Sequence, residues 1–254
     1  MALFKSSNPA VAEKVFKRSL GTADASGTMT IGGTVGKFGF LLLMVMGGAF
    51  YTWNLLGKGQ YSLLQTMMMV GIFGGLITSL IIIFKPNLAK YISPLYALLE
   101  GFALGGISVI INNAFAAKYP GIVLQAVGLT FAVALGMLAL YSFRVIRATE
   151  KFRAVIYSAT MGILLFYVIT WILSLFHVNV GFMYNSSLLG IGISLFVVAI
   201  AALNLILDFD MIEKGAQMGA PKYMEWYGAF GLMITMVWLY LEILKLLSRF
   251  AGRK

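Results

Sequence analysis

The sequence predicts an all-α membrane protein, a bundle of seven transmembrane helices. Three observations predict it. Hydrophobic residues make up 60% of the chain and charged residues 11%, against roughly 45–50% and about 25% in soluble proteins. Mean hydropathy is +0.91. A 20-residue apolar window fits the chain seven times, and ~20 residues at 1.5 Å each cross a ~30 Å hydrocarbon core. A water-soluble fold of 254 residues could not cover itself with so few charges, so a soluble enzyme and a disordered chain are both excluded. Runs such as FGFLLLMVMGGAF and ITSLIIIF are continuous, where a barrel would show alternating segments of ~10 residues.

Two parts follow, a cytoplasmic N-terminal segment over residues 1–34 and a membrane domain over 35–254. The first thirty residues hold no long apolar core, so they do not read as a signal peptide. Asn8-Pro9 reads as a cap followed by a first-turn proline. Ala12, Val15, Phe16 and Leu20 then share a face opposite Glu13, Lys14, Lys17 and Arg18. A short basic amphipathic helix lying on membrane lipid is expected there. Residues 21–34 (GTADASGTMTIGGT) read as a polar linker.

The seven spans are expected near 38–56, 66–84, 94–112, 122–141, 154–176, 188–207 and 227–247. Glycines recur inside them, and Gly101 with Gly105 forms a GxxxG that lets helix backbones approach closely. Basic residues orient the bundle. Lys5, Lys14, Lys17, Arg18 and Lys37 precede the first span. Lys85, Lys90, Arg144, Arg147, Lys151, Arg153, Lys214 and Lys222 fall on the same side, against Lys58 and Lys118 opposite. The N terminus is therefore expected in the cytoplasm, in a cell (inner) membrane. Lys245, Arg249, Arg253 and Lys254 run against that count, as a tolerated exception or because a late segment is re-entrant.

The chain has nine carboxylates, and their placement is its most informative feature. Glu13, Asp24 and Glu150 lie in polar stretches. Glu100 falls inside LYALLEGFALGG and Glu242 inside WLYLEILKLL, while Asp208, Asp210, Glu213 and Glu225 gather around the end of the sixth span and the start of the seventh. A charge at mid-bilayer costs roughly 2.5–3.5 kcal/mol on insertion scales, so each buried acid needs a partner, a proton or water. By depth, Glu100 and Asp208, with Glu225 beside them, share a layer near the cytoplasmic face. Two carboxylates in contact share a proton, and together they offer oxygens to a hard cation such as Ca²⁺. Asp210 and Glu213 also read as solvated helix-end acids. Lys245, at i+3, can neutralise Glu242, and Asn204 lies deep enough to need an interhelical hydrogen bond.

Other chemistries find no residues. The absence of cysteine removes thiolate sites and disulfides, and a single histidine, His177, removes any histidine cage. His177 itself reads as an interface residue. No phosphate loop, HExxH or GxSxG occurs, so no catalysis and no cofactor are expected. The net charge of +10 is read as facing anionic lipid and not nucleic acid.

YALLEGFALGGIS in the third span, NLILDFDMIEKG at the end of the sixth and WLYLEILKLLSRF in the last resemble the transmembrane Bax inhibitor motif family. MTIGGTVGKFGFLLL is similar to its bacterial inner-membrane branch. The resemblance covers residues 28–250. It implies six helices, in two groups of three, around a central C-terminal helix. It also implies a pH-sensitive calcium leak with an acidic pair on the last two helices, Asp208 matching the sixth-helix aspartate and Glu242 the acid of the last helix. Here that second acid is glutamate, 34 positions separate the two, and the second span carries no arginine. From Glu225 to Glu242 runs ~25 Å of helix, so depth puts Asp208 nearer Glu100 than Glu242.

Two functions are therefore expected in turn. The first is a leak channel for calcium or protons gated by carboxylate protonation, for which Glu100, Asp208, Glu242, Asp210 and Glu225 are the sensing candidates. The alternative is a non-transporting regulator that binds other membrane proteins, proteases among them. A proton-coupled exporter would need broken helices and an inverted repeat, and neither is evident.

Overall fold

The computed structural model describes residues 27–176 and 187–253. The amphipathic stretch at 8–20, with Glu13 and Asp24, lies outside them, as do His177 and Lys254. Seven helices long and apolar enough to cross a membrane occur among the described residues. They are α1 (Ile31–Gly57), α2 (Tyr61–Phe84), α3 (Ala89–Phe115), α4 (Ile122–Ser142), α5 (Glu150–Leu175), α6 (Leu188–Gln217) and α7 (Met224–Arg253). The protein is an all-α integral membrane protein.

Local chemistry sets the helix ends. Thr30 and Thr149 cap α1 and α5, their hydroxyls accepting from the Gly33 and Phe152 amides. α1 thus starts at Ile31, seven residues before the apolar window, because the cap and not hydropathy fixes its start. Lys85 and Pro86 break the chain after α2, leaving a single 3-10 turn over Pro86–Leu88. Beyond α6, Gly219 takes a positive φ of 68°, a conformation that costs a side chain but not glycine. α6 continues ten residues past the apolar run, to Gln217, before the chain turns into α7. α6 and α7 are each continuous, so neither supplies the re-entrant segment considered for the C-terminal basic cluster.

The chain forms two compact units. One contains residues 27–113 and 208–234 among those described, the other residues 114–176, 187–207 and 235–253. α6 and α7 contribute to both. In the first unit α1 and α3 approach at glycines: a Cβ on Gly48 would stand 2.6 Å from the Leu98 carbonyl, and one on Gly101 would strike the Val45 carbonyl. Leu55, Leu64 and Val109 close an apolar cluster among α1, α2 and α3. In the second unit Ile156, Tyr157 and Ile163 of α5 pack with Val197, Ile200 and Leu207 of α6.

Burial separates the helices by role. Two thirds (67%) of the apolar window of α7 is buried and half (50%) of those of α3 and α6, against 17–22% for α1, α2, α4 and α5. The last four turn large apolar side chains outward, among them Leu43, Phe50, Phe73, Leu76, Leu135 and Trp171. Such surface is solvated by hydrocarbon. The interior acids are accordingly all found on α3, α6 and α7.

Candidate functional site: the interior carboxylates

Glu225 sits in the first turn of α7 and is fully buried. Its Oε1 accepts from the Thr30 amide and the Thr30 hydroxyl, both at 2.9 Å. Lys37 donates to Oε2, and Lys222 stands 3.4 Å from Oε1. The same Thr30 hydroxyl accepts from the Gly33 amide at 3.0 Å. Gly33 has to be glycine, since a Cβ there would run into the Glu225 carboxylate. Backbone bonds complete the joint: the Met29 amide donates to Ala220 O at 2.6 Å and the Lys222 amide to Gly27 O at 3.1 Å. This carboxylate is saturated with donors and ties the start of α1 to the start of α7. Thr30 and Lys37 were not legible as its partners, since the stretch before α1 reads as linker and nearly two hundred residues intervene.

Glu242, in the second half of α7, is also buried. Its Oε1 accepts from the Tyr167 hydroxyl of α5 at 2.8 Å and from Lys245 at 2.9 Å, and Lys245 also reaches Tyr167 Oη at 3.2 Å. The i+3 lysine is thus in place, and the tyrosine is an addition that the sequence did not reveal. Glu242 Oε2 is buried with no hydrogen-bond partner among the described residues. Two turns on, Arg249 donates to the Gly190 carbonyl and, at 2.7 Å, to the Ser194 hydroxyl of α6. Asn204 makes the interhelical bond expected of it, donating to Thr160 Oγ1 at 2.9 Å.

The acids on α6 grade from interior to surface. Asp208 is buried, with 1% of its surface exposed. Asp210 is buried beside Lys214, 3.2 Å away at i+4. Glu213 is half-buried and accepts from Gln217 at 3.2 Å. Asp210 and Glu213 therefore have neighbours on their own helix, but Asp210 is buried and is not the solvated helix-end acid expected, while Glu213 is partly exposed.

Glu100 differs from all of these. It lies midway along α3, half-buried, and has no hydrogen bond or ion pair among the described residues. It faces Gly75 of α2, where a Cβ would stand 2.8 Å from Glu100 Oε2. One turn earlier on α3, Tyr96 is buried with its ring edge-on to Phe230 of α7, centroids 4.9 Å apart. Glu100 and Asp208 fall in the same compact unit, Glu242 in the other. No group of three or more His, Cys, Asp or Glu side chains that could hold a metal ion gathers among the described residues.

The Bax inhibitor 1 like family model matches residues 8–252, nearly the whole chain and some twenty residues further toward the N terminus than the motifs quoted above. The chain belongs to that family. No curated protein and no solved structure matches it.

Proposed function

We propose that this member of the Bax inhibitor 1 like family is a leak channel for a cation, Ca²⁺ or H⁺, whose opening follows protonation of Asp208 and of Glu100, which lies deeper along α3 than the expected layer near the cytoplasmic face. The observation that carries the reading is Glu100 itself. A carboxylate within a span is tolerated with a partner, a proton or water. Glu225 and Glu242 have lysines and hydroxyls; Glu100 has no such donor among the described residues. Its charge therefore depends on what reaches it from solution. Ionised, it offers oxygens to a hard cation; protonated, it does not. The cation is cargo, held briefly by few ligands. Asp208, buried within the same unit, is the second acid of the sensor, and Asp210 its more exposed neighbour.

In this reading the N terminus is cytoplasmic and the membrane is the cell's inner one. The basic C-terminal residues weigh less against that orientation than their number suggests. Lys245 is engaged by Glu242, and Arg249 by Gly190 and Ser194. The test is cation flux into liposomes holding the purified protein, compared between wild type, Glu100→Gln and Asp208→Asn at about pH 6 and about pH 8. Loss of most of the pH response in both variants is the expected result, with Glu242→Gln doing little beyond freeing Lys245. Equal flux at both pH values in the wild type, no greater than in empty liposomes, ends the reading.

A second reading, a non-transporting regulator of other membrane proteins, draws support from the same lysines. Glu225 and Glu242 are held as they would be in a chain that passes no ions. Crosslinking with and without residues 1–27 separates the two, because loss of partners with flux unchanged makes binding and transport independent.

A further inference from the structure

Residues 143–149 (FRVIRAT) join α4 to α5, and they begin with a helix cap of a kind that ordinarily takes glycine. The Arg144 amide donates to the Tyr141 carbonyl at 2.9 Å and the Val145 amide to the Leu140 carbonyl at 3.0 Å. These are the paired bonds of a Schellman motif, with Arg144 at its left-handed position. Arg144 takes a φ of 57°, and among the described residues every other positive φ belongs to a glycine. The ends of α1 and α6 are followed by such glycines, Gly59 and Gly219. A side chain at this φ strains the backbone where glycine does not. Local conformation therefore gives no reason for an arginine, and the reason lies in its side chain.

Arg144 is exposed, and its guanidinium stands 5.3 Å from the ring centroid of buried Tyr141, a cation–π contact that holds it at the turn. Its neighbours are exposed too. Phe143 keeps 80% of its surface and Val145 68%, so two apolar side chains flank a charge. Arg147 and Lys151 are further exposed bases. The one acid of residues 142–153, Glu150, pairs with Arg153 at 3.2 Å, which leaves the excess positive. The length of α4 sets the depth of the turn. Its 21 residues at 1.5 Å each span ~30 Å, the thickness of the hydrocarbon core. No overhang remains, so the turn begins at headgroup level. Only 17% of the apolar windows of α4 and α5 is buried, and Leu135 and Val155, on either side of the turn, are exposed.

We infer that the α4–α5 turn is a binding site for an anionic phospholipid, its phosphate taken by Arg144, Arg147 and Lys151 and its acyl chains lying along Phe143 and Val145. A guanidinium offers a fork of N–H donors that matches phosphate oxygens, and lysine adds a point charge. Bases at the membrane surface are attracted to anionic headgroups. Apolar side chains beside those bases ask for hydrocarbon at the same place, which a phospholipid carries in the same molecule. A free phosphate has none, and an acidic peptide would leave Phe143 and Val145 uncovered. The site stands on the membrane-spanning fold and is independent of the leak reading.

The experiment is native mass spectrometry of the full chain in detergent, titrated with phosphatidylglycerol or with phosphatidylcholine, beside thermal unfolding of each protein. The wild type should bind phosphatidylglycerol at least about tenfold more tightly than phosphatidylcholine. Arg144→Gly should weaken phosphatidylglycerol binding roughly fivefold without lowering the unfolding temperature, since backbone strain is relieved where the ring contact is lost. Arg147→Gln, outside the cap, should weaken it by a similar factor, and it alone decides if Arg144→Gly unfolds early. Lys90→Gln removes an exposed base of the other compact unit and should leave binding within about twofold. Inorganic phosphate should not displace the lipid. Equal affinity for the two lipids overturns the site, as does wild-type binding by Arg147→Gln. A loss as large in Lys90→Gln overturns it in favour of diffuse surface charge. Displacement by inorganic phosphate overturns the lipid as its occupant.

Discussion

Two acids of the same compact unit divide the labour that buried charge can do. Around Glu225, at the start of α7, the chain supplies a backbone amide, a hydroxyl and two ammonium groups. Around Glu100, in the interior of α3, it supplies the bare backbone of Gly75 and the buried Tyr96, and no hydrogen-bond or ion-pair partner among the described residues. A carboxylate so thoroughly matched is fixed in its charge and serves as a fastener. One left to solution changes charge with its surroundings, which makes it costly to keep unless the cell uses it. The difference teaches how to sort the acids of a membrane protein, by the donors around them and not by their depth alone.

Mutations can break that contrast, and the largest effect is expected at the fastener. Glu225→Ala strands Lys37 and the start of α1, and breaking such a buried pair costs roughly 3–5 kcal/mol. Unfolding in detergent micelles measures it. Glu100→Gln in the same assay should leave stability unchanged or raised, because an uncompensated charge is removed. A comparable loss in both proteins would erase the distinction.

Packing comes next. Gly101→Leu places a side chain against the Val45 carbonyl, and overpacking of this kind costs typically about 1–3 kcal/mol. In the other unit, Tyr167→Phe removes one of the donors to Glu242 but leaves Lys245. A loss near 1 kcal/mol is expected, well below that of Glu225→Ala. The smallest effect belongs to Lys222, half-exposed and 3.4 Å from Glu225. Lys222→Met should change stability by less than about 1 kcal/mol, as exposed pairs do. A larger loss would mean that Lys222 and not Lys37 is the chief counter-ion.

The fold was legible because lipid leaves few choices. Long continuous apolar runs can only be helices there, and the GxxxG of Gly101 and Gly105 announced a close helix approach, whose partner, α1, came from the structure. The i+3 spacing of Glu242 and Lys245 and the depth of Asn204 were likewise readable, since both depend on helix geometry alone. What stayed hidden depends on distant chain segments meeting. Thr30 and Lys37 around Glu225, Tyr167 beside Glu242 and Ser194 beneath Arg249 all come from other helices, and no local pattern specifies them. The hydroxyl of Ser93, unmet among the described residues, was not read from the sequence. Only the structure distinguishes it from the serines that bond back to their own helix.

The most direct measurement is cation flux in liposomes at about pH 6 and about pH 8, wild type beside Glu100→Gln, with each protein's folding checked by its unfolding transition. The expected result is a wild-type flux that differs between the two pH values by several-fold and a folded Glu100→Gln protein whose flux is nearly the same at both. A folded Glu100→Gln protein that keeps the full wild-type pH response would contradict the assignment of Glu100 as the acid that senses protons.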